Sequence, residues 1–448
     1  MKGKTGMKKS ARKKRMARKI LLILCIMLAV YIVYLFCKAM WYGRGTSEAR
    51  TAPGRIELSY EEAAADGSIS FEEIAVHYAP EVHAAVNVLI SESGKGDFIS
   101  AVDFDGDTSA VNNWENMASY PLKAYVYWSV QETDTHYFIG YYFYHPRDDA
   151  EIWLDRHEND FEGIMLAVPK AENGFAPPVC MYTQGHGGVP FYGDNMTMTE
   201  KSIRGGPLAL DGDRAVIYIT PNGTLNNAGH SIESDAGHST YWSVGNSGIR
   251  YYHGGEAQVP ATFKGDYNDN PCSYALLPLK DLWIRRNGPY GEGGVFAGFG
   301  AFHGDNYRKN AANPAWGWRN KTVYGFGGSF LSDPAWTFSR AVEEYSFSCD
   351  YLANEYADWK VSVRSVSGAD QAFTLRLWQD AWQIAADEWW SFERTESGEY
   401  TVRICDADRQ SIWAAAPPNT VWKCEAVDTE GNIMENAVVD WEAEFLDQ

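Results

Sequence analysis

One stretch of the chain places several ligand-type side chains close together. Residues 156–163 read RHENDFEG, so His157, Asp160 and Glu162 fall within six positions. Asp160 and Glu162 are two residues apart and would point to the same face of a strand, while His157 lies three residues earlier in a predicted turn. Two carboxylates suit Mg²⁺ or Ca²⁺, and Mn²⁺ or Zn²⁺ accepts an imidazole more readily than Ca²⁺ does. The spacing alone also describes a solvated acidic turn with an incidental histidine.

The neighbouring sequence predicts the strands that would position these side chains. Aromatic residues make up 14 % of the chain and glycines number 41, a composition that favours β-structure with many tight turns. Runs bounded by Gly, Pro, Asn and Asp predict strands at Ala124–Ser129, Tyr137–Tyr144, Gly163–Val168, Val179–Thr183 and Ala215–Thr220. The sequence HPRDD at 145–149 predicts a turn, and helical patterning is brief, as at Ser70–His77 and Ser339–Ala357. We therefore expect a mostly β fold, with a large metal-binding β-sandwich over residues 71–350 and few helices.

The carboxy-terminal residues 356–448 predict a second, smaller β-sandwich of immunoglobulin-like size. Alternating segments predict its strands at Trp359–Val366, Ala372–Trp378, Glu399–Cys405 and Val421–Ala426. Of the seven cysteines, Cys405 and Cys424 could pair outside the cell, whereas isolated buried thiols are an equally good account of the other cysteines beyond the apolar segment. No CxxC or CxxH spacing suggests a zinc site.

The amino terminus predicts a membrane anchor. Ten Lys and Arg residues precede an uncharged apolar run over residues 20–37, which residues 38–40 extend to a length that can cross a bilayer. The basic tail, residues 1–19, should stay cytoplasmic, so the bulk of the chain would lie outside the cell. Residues 41–70 are expected to form a stalk. A cleaved signal peptide is the alternative, although its apolar region is usually shorter.

The charge distribution excludes some classes of function. The formal net charge is −20, and residues 1–44 hold 12 of the 39 basic residues and no acidic ones. The rest of the chain therefore carries 27 basic and 59 acidic residues, or −32. Such a surface repels nucleic acid and attracts cations. A serine hydrolase is poorly supported because no Gly-x-Ser-x-Gly sequence occurs.

Three short motifs together resemble the necrosis- and ethylene-inducing-peptide-like (NLP) proteins. They are FYHPRD at 143–148, HENDFE at 157–162 and QGHGG at 184–188. In that family an aromatic strand ends in a proline-basic-aspartate turn, a Gly-His-Arg-His-Asp-Trp-Glu heptapeptide follows, and a later strand ends in His-Gly. The chain departs from the heptapeptide at its first, third, fourth and sixth positions, so the second histidine of the motif is absent.

The NLP resemblance implies a cation site and a type of ligand. By position, Asp148, His157, Asp160 and Glu162 match the side chains that bind the divalent cation of the family, and His186 matches a nearby pocket histidine. In the toxin branch the cation and pocket bind a sphingolipid sugar headgroup on a target membrane, and this binding leads to lysis. A chain tethered to its own membrane is poorly suited to be a diffusible toxin, so the cytolytic role is not carried over.

The chain is also similar to the broader vacuolar-protein-sorting-like β-sandwich proteins. Those proteins share the His-x-x-Asp-x-Glu strand, a downstream His-Gly, a Val-Tyr-Val/Ile strand before a glycine turn, and a closing aromatic-glycine segment. The last two features correspond here to residues 215–223 and 299–334. Together the two resemblances cover roughly residues 75–337 and imply a β-sandwich that holds a cation at one rim.

Two further groups of residues are candidates for the same chemistry. His230, which follows a polar Asn-Asn-Ala-Gly stretch, is the best additional candidate for the pocket. Asp103, Asp105 and Asp107 form a possible second calcium turn, because closely spaced oxygens in a turn suit a hard cation. The glycine of this turn stands at the fourth position rather than the sixth, and an acidic surface turn is the alternative.

The sequence therefore predicts a membrane-anchored extracellular protein whose divalent-cation site recognises a glycan or lipid headgroup at a surface. Mg²⁺, Ca²⁺ or Mn²⁺ is favoured over Zn²⁺. A metal-dependent extracellular hydrolase is the alternative, since carboxylates beside a metal can activate water. A structural surface protein with a vestigial site is a third interpretation.

Overall fold

A computed structural model describes most of the 448 residues. The described residues are 3–42, 54–87, 92–149, 154, 156–185, 190–193, 205–222, 229–235, 246–261, 267, 270–291, 293–319, 326–342, 347–384, 389–405 and 408–446. Within them the α-helices are α1 Gly3–Tyr42, α2 Tyr60–Ala63, α3 Phe71–His77, α4 Asn113–Asn116, α5 Lys280–Trp283, α6 Ser329–Ser332 and α7 Pro334–Ala341. Short 3₁₀ helices span Glu92–Asp97 and Ala315–Gly317.

The strands fall into an amino-terminal set and a carboxy-terminal set. The first set is β1 Glu81–Asn87, β2 Tyr125–Thr133, β3 His136–Asp148, β4 His157–Pro169, β5 Cys180–Gln184, β6 Phe191–Gly193, β7 Gly205–Gly206, β8 Leu210–Asp211, β9 Arg214–Ile219, β10 Ile232–Ser234, β11 Asn246–His253, β12 Pro271–Pro278, β13 Phe296–Gly298, β14 Ala301–Phe302 and β15 Tyr351–Ala353. The second set is β16 Trp359–Ser367, β17 Phe373–Gln379, β18 Trp382–Gln383, β19 Trp390–Arg394, β20 Tyr400–Ile404, β21 Ser411–Ala414, β22 Trp422–Asp428 and β23 Val438–Phe445. The prediction of a mostly β fold with few helices is confirmed.

The amino-terminal strands form one continuous hydrogen-bonded path that folds into two layers. Its order is β10-β9-β1-β11-β12-β2-β3-β4-β5-β6-β7, with β8 beside β9 and β15 beside β2. Strand β12 joins the layers, because its residues from Pro271 to Tyr274 pair with β11 and those from Ala275 to Pro278 pair with β2. The side chains between the layers form one core, which includes Ile217 and Tyr251 from one layer and Leu166 from the other.

The layer that runs from β2 to β7 is covered on both faces, as the alternation of side chains along β3 shows. Tyr141 and Phe143 belong to the core between the layers, whereas Tyr142 and Tyr144 belong to a core on the outer face. The outer core is completed by aromatic side chains from the segment that follows β12, including Trp283, Trp316 and Phe338. Because both faces are buried, the strand reads as a continuous aromatic run rather than an alternating one.

The carboxy-terminal strands form a second sandwich. One sheet has the order β19-β20-β16-β21 with β23 also paired to β16, and the other has the order β18-β17-β22. Side chains such as Val361, Leu375, Val402 and Ala426 alternate inward and fill a core of their own. All four strands predicted for this region occur within a residue or two of the predicted bounds. The domain boundaries predicted at 71–350 and 356–448 stay predictions.

Buried ion pairs connect the two sandwiches. Arg409 from the second sandwich contacts Asp333, the N-cap residue of α7, at 2.7 Å, and both side chains are almost fully buried. Arg286 and Asp358 form a similar pair at 2.6 Å. Trp336 of α7 lies in the core of the second sandwich. The two units therefore share charged and aromatic contacts.

Helix α1 contains an apolar segment long enough to cross a membrane. The segment is Lys13–Cys37, it has a mean hydropathy of 3.0, and none of its most apolar window is buried against the rest of the chain. An amino-terminal signal sequence satisfies the same criterion of length and composition. The predicted anchor, residues 20–40, lies within this helix.

Part of the predicted stalk contacts the first sandwich. Arg55 forms ion pairs with Glu81 and Asp211, and the amide of Ile56 donates to the carbonyl of His253. These contacts connect residues 55 and 56 to strands β1, β8 and β11. Residues 43–53 lie outside the described part of the chain.

Two local predictions are wrong. The helix predicted over Ser339–Ala357 is limited to α7, which ends at Ala341, and the same span contains strand β15. The turn predicted at 145–149 is instead the end of β3, whose pairing with β4 continues to Asp148. The pairing lapses only at Pro146, which has no amide hydrogen to donate. Cys405 and Cys424, whose pairing the sequence left open, are both free thiols.

We predict that Asp333→Ala destabilises the protein strongly. Its carboxylate receives hydrogen bonds from Arg409, Tyr351 and two backbone amides, so its loss leaves the Arg409 guanidinium buried without its partner. Breaking one side of such a buried pair costs about 3–5 kcal/mol. Chemical denaturation measures the difference. Arg364→Ala, which removes an exposed pair with Glu442, is the control and should change stability little. Equal losses for the two variants would contradict the assignment.

A second prediction concerns the pH dependence of stability. His83 on β1 contacts Asp235, and its Nε2 lies 3.0 Å from Glu81. Burial alone would lower the pKa of His83, but the hydrogen bonds to these two carboxylates outweigh it and raise the pKa to about 9.

Because the folded state holds this proton more tightly than the unfolded state, the stabilisation is complete below about pH 6.5 and is lost as pH rises through about 9. Denaturation curves across that range should show a steeper loss of stability in the wild type than in His83→Gln. Parallel curves for the two proteins would show that His83 does not carry this effect.

Candidate ligand site at the rim of the first sandwich

Strands β3 and β4 bring the four predicted cation ligands to one end of the layer that runs from β2 to β7. The antiparallel register places Asp148 opposite His157, His145 opposite Asp160 and Phe143 opposite Glu162. Phe161 belongs to the outer core, whereas Ile164 belongs to the core between the layers. Since side chains alternate along a strand, Asp160 and Glu162 both face the space between the layers.

His230 is the buried centre of this rim. Its Nδ1 lies 2.7 Å from Oδ2 of Asp160, and its Nε2 lies 3.2 Å from Oδ1 of Asp97. The His230 side chain is fully buried, as is that of Asp97, and 13 % of the Asp160 side chain is exposed. The sequence named His230 as a pocket candidate, and the structure places it in direct contact with the predicted ligand Asp160.

The two carboxylates make His230 a cation. Burial alone would lower the pKa of His230, but the hydrogen bonds and charges of Asp160 and Asp97 outweigh it and hold the pKa well above its usual range. Burial alone would raise the pKa of Asp160, but the hydrogen bond and charge of His230 hold that pKa well below its usual range. An imidazolium therefore lies between Asp160 and Asp97 inside the sandwich.

A second imidazole stacks on this cation. The rings of His145 and His230 are parallel within 3°, with their centroids 3.6 Å apart. Burial, followed by the positive charge of His230, holds the pKa of His145 well below its usual range. His145 is therefore neutral where His230 is charged. The stack covers one face of the imidazolium with an uncharged ring.

His157 presents one ring nitrogen toward the rim. Its Nδ1 lies 2.8 Å from the carbonyl oxygen of Asn159, which can only accept, so Nδ1 carries the proton of the neutral ring. The lone pair is then on Nε2, which lies 3.7 Å from Oδ2 of Asp148. A histidine fixed in this tautomer by a backbone carbonyl is suited to accept a hydrogen bond or to bind a cation through Nε2.

The residues between the candidate ligands are structural. Asn159 has a φ of 59°, a left-handed conformation that Asn tolerates better than most residues. Its amide accepts hydrogen bonds from Tyr144 and Asn113 and donates to two backbone carbonyls. The carboxylate of Glu158 accepts hydrogen bonds from three backbone amides, and burial raises its pKa. These contacts hold the start of β4 in place.

Gly185 leaves room for the side chain of Glu162. A Cβ atom at this position would lie 2.7 Å from Oε2 of Glu162 and 2.8 Å from the backbone of Ser231. Any side chain here would displace the carboxylate or the neighbouring chain. His186, the pocket histidine predicted next to it, lies outside the described residues.

An aromatic pair borders the site on its exposed side. The rings of Trp114 and Tyr307 are 4.8 Å apart, and Tyr307, which is 48 % exposed, forms a bridge with His157. The guanidinium of Arg147 lies 4.2 Å from the centre of the Trp114 ring, and that of Arg156 lies 5.8 Å from the Tyr307 ring. The rim thus combines acidic groups with an exposed ring and positive charge.

The four predicted ligands are neighbours, but they do not form a ready metal cage. Among the described residues, no group of three or more His, Cys, Asp or Glu side chains is arranged to hold a metal ion. One oxygen of Asp160 is engaged by His230. Three carboxylates and an imidazole are nevertheless donor types that a divalent cation accepts. The metal site and the identity of the cation stay predictions.

The possible second calcium turn is occupied by its own loop contacts. Asp105 accepts hydrogen bonds from the amide of Asp107 and the side chain of Asn116, and Asp107 accepts from the amide of Ser109. These are the contacts of a self-capped acidic turn. Asp103 lines a neighbouring cavity. Calcium binding at this turn stays a prediction.

Sequence reasoning missed two members of the rim. Asp97 ends a 3₁₀ helix and carries no motif, so nothing near it in the sequence pointed to His230. His145 lies inside the FYHPRD motif, but the sequence HPRDD predicts a turn there. A buried strand position opposite Asp160 would have suggested its role.

No protein-family model matches the chain, and no curated protein matches it. Several solved structures are similar over about half of it. One, described as a toxin fold for microbial attack and plant defense, is 14 % identical with a TM-score of 0.28, over 56 % of this chain and 90 % of that one. NLPPya in complex with glucosamine is 15 % identical with a TM-score of 0.26, over 52 % and 80 %. The non-toxic HaNLP3 protein is 14 % identical with a TM-score of 0.24, over 54 % and 87 %. Likenesses at such TM-scores carry no argument about function, so the site is interpreted from its own residues.

We predict that His230→Phe destabilises the protein far more than His145→Phe does. Both changes keep a flat ring in the stack, but only the first leaves Asp97 and Asp160 buried without their cation. Loss of such a partner costs about 3–5 kcal/mol, whereas a modest overpacking at His145 costs about 1–3 kcal/mol. Denaturant unfolding of the two variants measures the difference. A His230→Phe protein as stable as His145→Phe would rule out the charged bridge.

Proposed function

We propose that the chain is a membrane-anchored protein whose first sandwich recognises a glycan or lipid headgroup through a divalent cation at its rim. In this proposal residues 20–40 cross the membrane, residues 1–19 stay in the cytoplasm, and the folded part lies outside the cell. Asp148, His157, Asp160 and Glu162 would hold the cation. When bound, the cation supplies a positive centre that accepts oxygen atoms from the ligand.

The proposal is supported by the register of β3 and β4, which puts the four residues at the same end of these two strands. Asp148 and His157 are paired across β3 and β4, and Asp160 and Glu162 face inward from the same strand. Their side chains are largely but not wholly buried, so a small ion can reach them while bulk water is restricted. A concentration of negative charge at a partly buried rim attracts a cation.

The surroundings favour a hydroxyl-rich ring as the ligand. Tyr307 presents an exposed aromatic face next to His157, and the ring of a sugar can pack its C–H face on such a surface. Arg156 lies above the same tyrosine and can donate to hydroxyl or anionic groups.

The membrane part of the proposal rests on the amino-terminal helix. The uncharged apolar run over residues 20–37 follows a basic tail, and an excess of Lys and Arg favours the cytoplasmic side. A signal sequence would instead be removed. The apparent mass of the mature chain isolated from membranes distinguishes the two.

We predict that a divalent cation stabilises the full-length protein in detergent and that Glu162→Gln loses this effect. A cation at one hundred times its Kd would add about 2.7 kcal/mol to the stability of the folded state. Thermal unfolding with added Mg²⁺, Ca²⁺ or Mn²⁺, and after chelation, measures the shift. Glu158→Gln is the matched control, because its carboxylate binds backbone amides and its cation-dependent shift should persist.

Ligand binding is tested in the same preparation. Glucosamine, which one of the similar structures holds, serves as the probe. Calorimetry should detect binding with cation and none after chelation, and Tyr307→Ala should weaken it. Absence of any cation-dependent shift in melting temperature would overturn the proposal. Chelator-sensitive turnover of ester or phosphoester substrates, abolished by Glu162→Gln, would replace it with a metal-dependent hydrolase.

A further inference from the structure

A second concave site lies where the two sandwiches meet. Its volume is about 410 Å³, within the range of about 300–1,000 Å³ that is usual for small-molecule sites. Phe299, Arg319 and Phe326 line it from the first unit, and Asp380 and Trp382 line it from the second. None of these residues belongs to the rim site, and no candidate from the sequence falls here.

One side of this junction cleft is aromatic. Trp316 is buried beneath it, and its indole nitrogen donates to the carbonyl of Phe299, which fixes both residues. Trp382 is 55 % exposed although it is a large apolar side chain. It stands on the two-residue strand β18, and its backbone pairs with Gln379 of β17. The indole is therefore presented toward solvent on a fixed support.

The other side of the cleft is polar. Asp380 has a φ of 52°, and it is held by two contacts with Val421, an amide donation at 2.8 Å and an acceptance by Oδ1 at 2.9 Å. Arg319 lines the cleft without an ion pair to any other described residue, and its exposed guanidinium carries five donors. A Cβ atom on Gly327 would lie 3.3 Å from Cγ of Arg319, so this glycine lets the arginine stem lie along the backbone.

We propose that the junction cleft binds a saccharide. A sugar ring has apolar C–H faces and polar edges, which match an exposed indole beside carboxylate, amide and guanidinium groups. The ring would stack on Trp382, while its hydroxyls exchange hydrogen bonds with Asp380 and Gln379. Arg319 would favour sugars that carry a carboxylate, because guanidinium and carboxylate pair through two parallel hydrogen bonds. This site is independent of the cation site at the rim.

The test uses the full-length chain in detergent with chelator present, so that the rim site contributes nothing. The probes are cellotetraose, chitotetraose and tetragalacturonate, which are neutral, N-acetylated and acidic oligosaccharides. Calorimetry and tryptophan fluorescence should detect binding of at least one of them. Trp382→Ala should raise Kd about tenfold or more, which corresponds to about 1.4 kcal/mol. Arg319→Ala should weaken the acidic probe more than a neutral one.

Two variants serve as controls. Ile433→Ala removes an exposed apolar side chain from the same sandwich outside the cleft, and Tyr307→Ala removes the exposed ring at the rim. Both should bind like the wild type. The proposal is overturned if none of the three probes binds at millimolar concentration, or if Trp382→Ala and Arg319→Ala both bind as the wild type does. Loss of binding in Tyr307→Ala would also overturn the proposal, because it would show that the saccharide binds at the rim.

Discussion

The bridge from Asp97 through His230 to Asp160 is the interaction on which the rim depends. It draws together a 3₁₀ helix before β2, the residue two positions before β10 and the start of β4, which are far apart in the sequence. Burial of both carboxylates without the imidazolium between them would be strongly destabilising. The bridge also limits what the rim can bind, since one oxygen of Asp160 is already engaged. Any cation must use the remaining oxygens of the cluster.

The sequence predicted those parts of the fold that depend on local pattern. Strand β5 was recognisable as a short apolar run bounded by turn residues, and β17 by its alternation of side chains. Strand β1 was missed because EVHAAVN has no strong alternation. Its position in the sheet is determined by pairing with β9 and β11. Within the site, spacing predicted the shared face of Asp160 and Glu162. It could not predict Asp97, because a partner more than a hundred residues from His230 leaves no periodic signal.

The two layers of the first sandwich are not separate sheets. Strand β12 pairs with β11 of one layer along its first half and with β2 of the other layer along its second half. Parallel pairing on both sides requires long connections before β12. The segment after β12 then packs over the outer face. The same segment carries Trp316 and Phe299, and then α7 with its contacts to the second sandwich. This segment also lines the junction cleft, through Phe299, Trp316 and Arg319.

The ion pairs of Arg55 have a consequence for distance. They tie the chain to the first sandwich only a short way beyond Tyr42, the last residue of the amino-terminal helix. A fully extended chain spans about 3.3–3.6 Å per residue, so the connection from Tyr42 to Gly54 can reach about 40 Å at most. With the helix in a membrane as proposed, the folded part is confined to a shell about one domain deep above that bilayer. Its rim could then sample ligands on its own membrane at a high effective concentration, but could meet those on another surface only at close apposition.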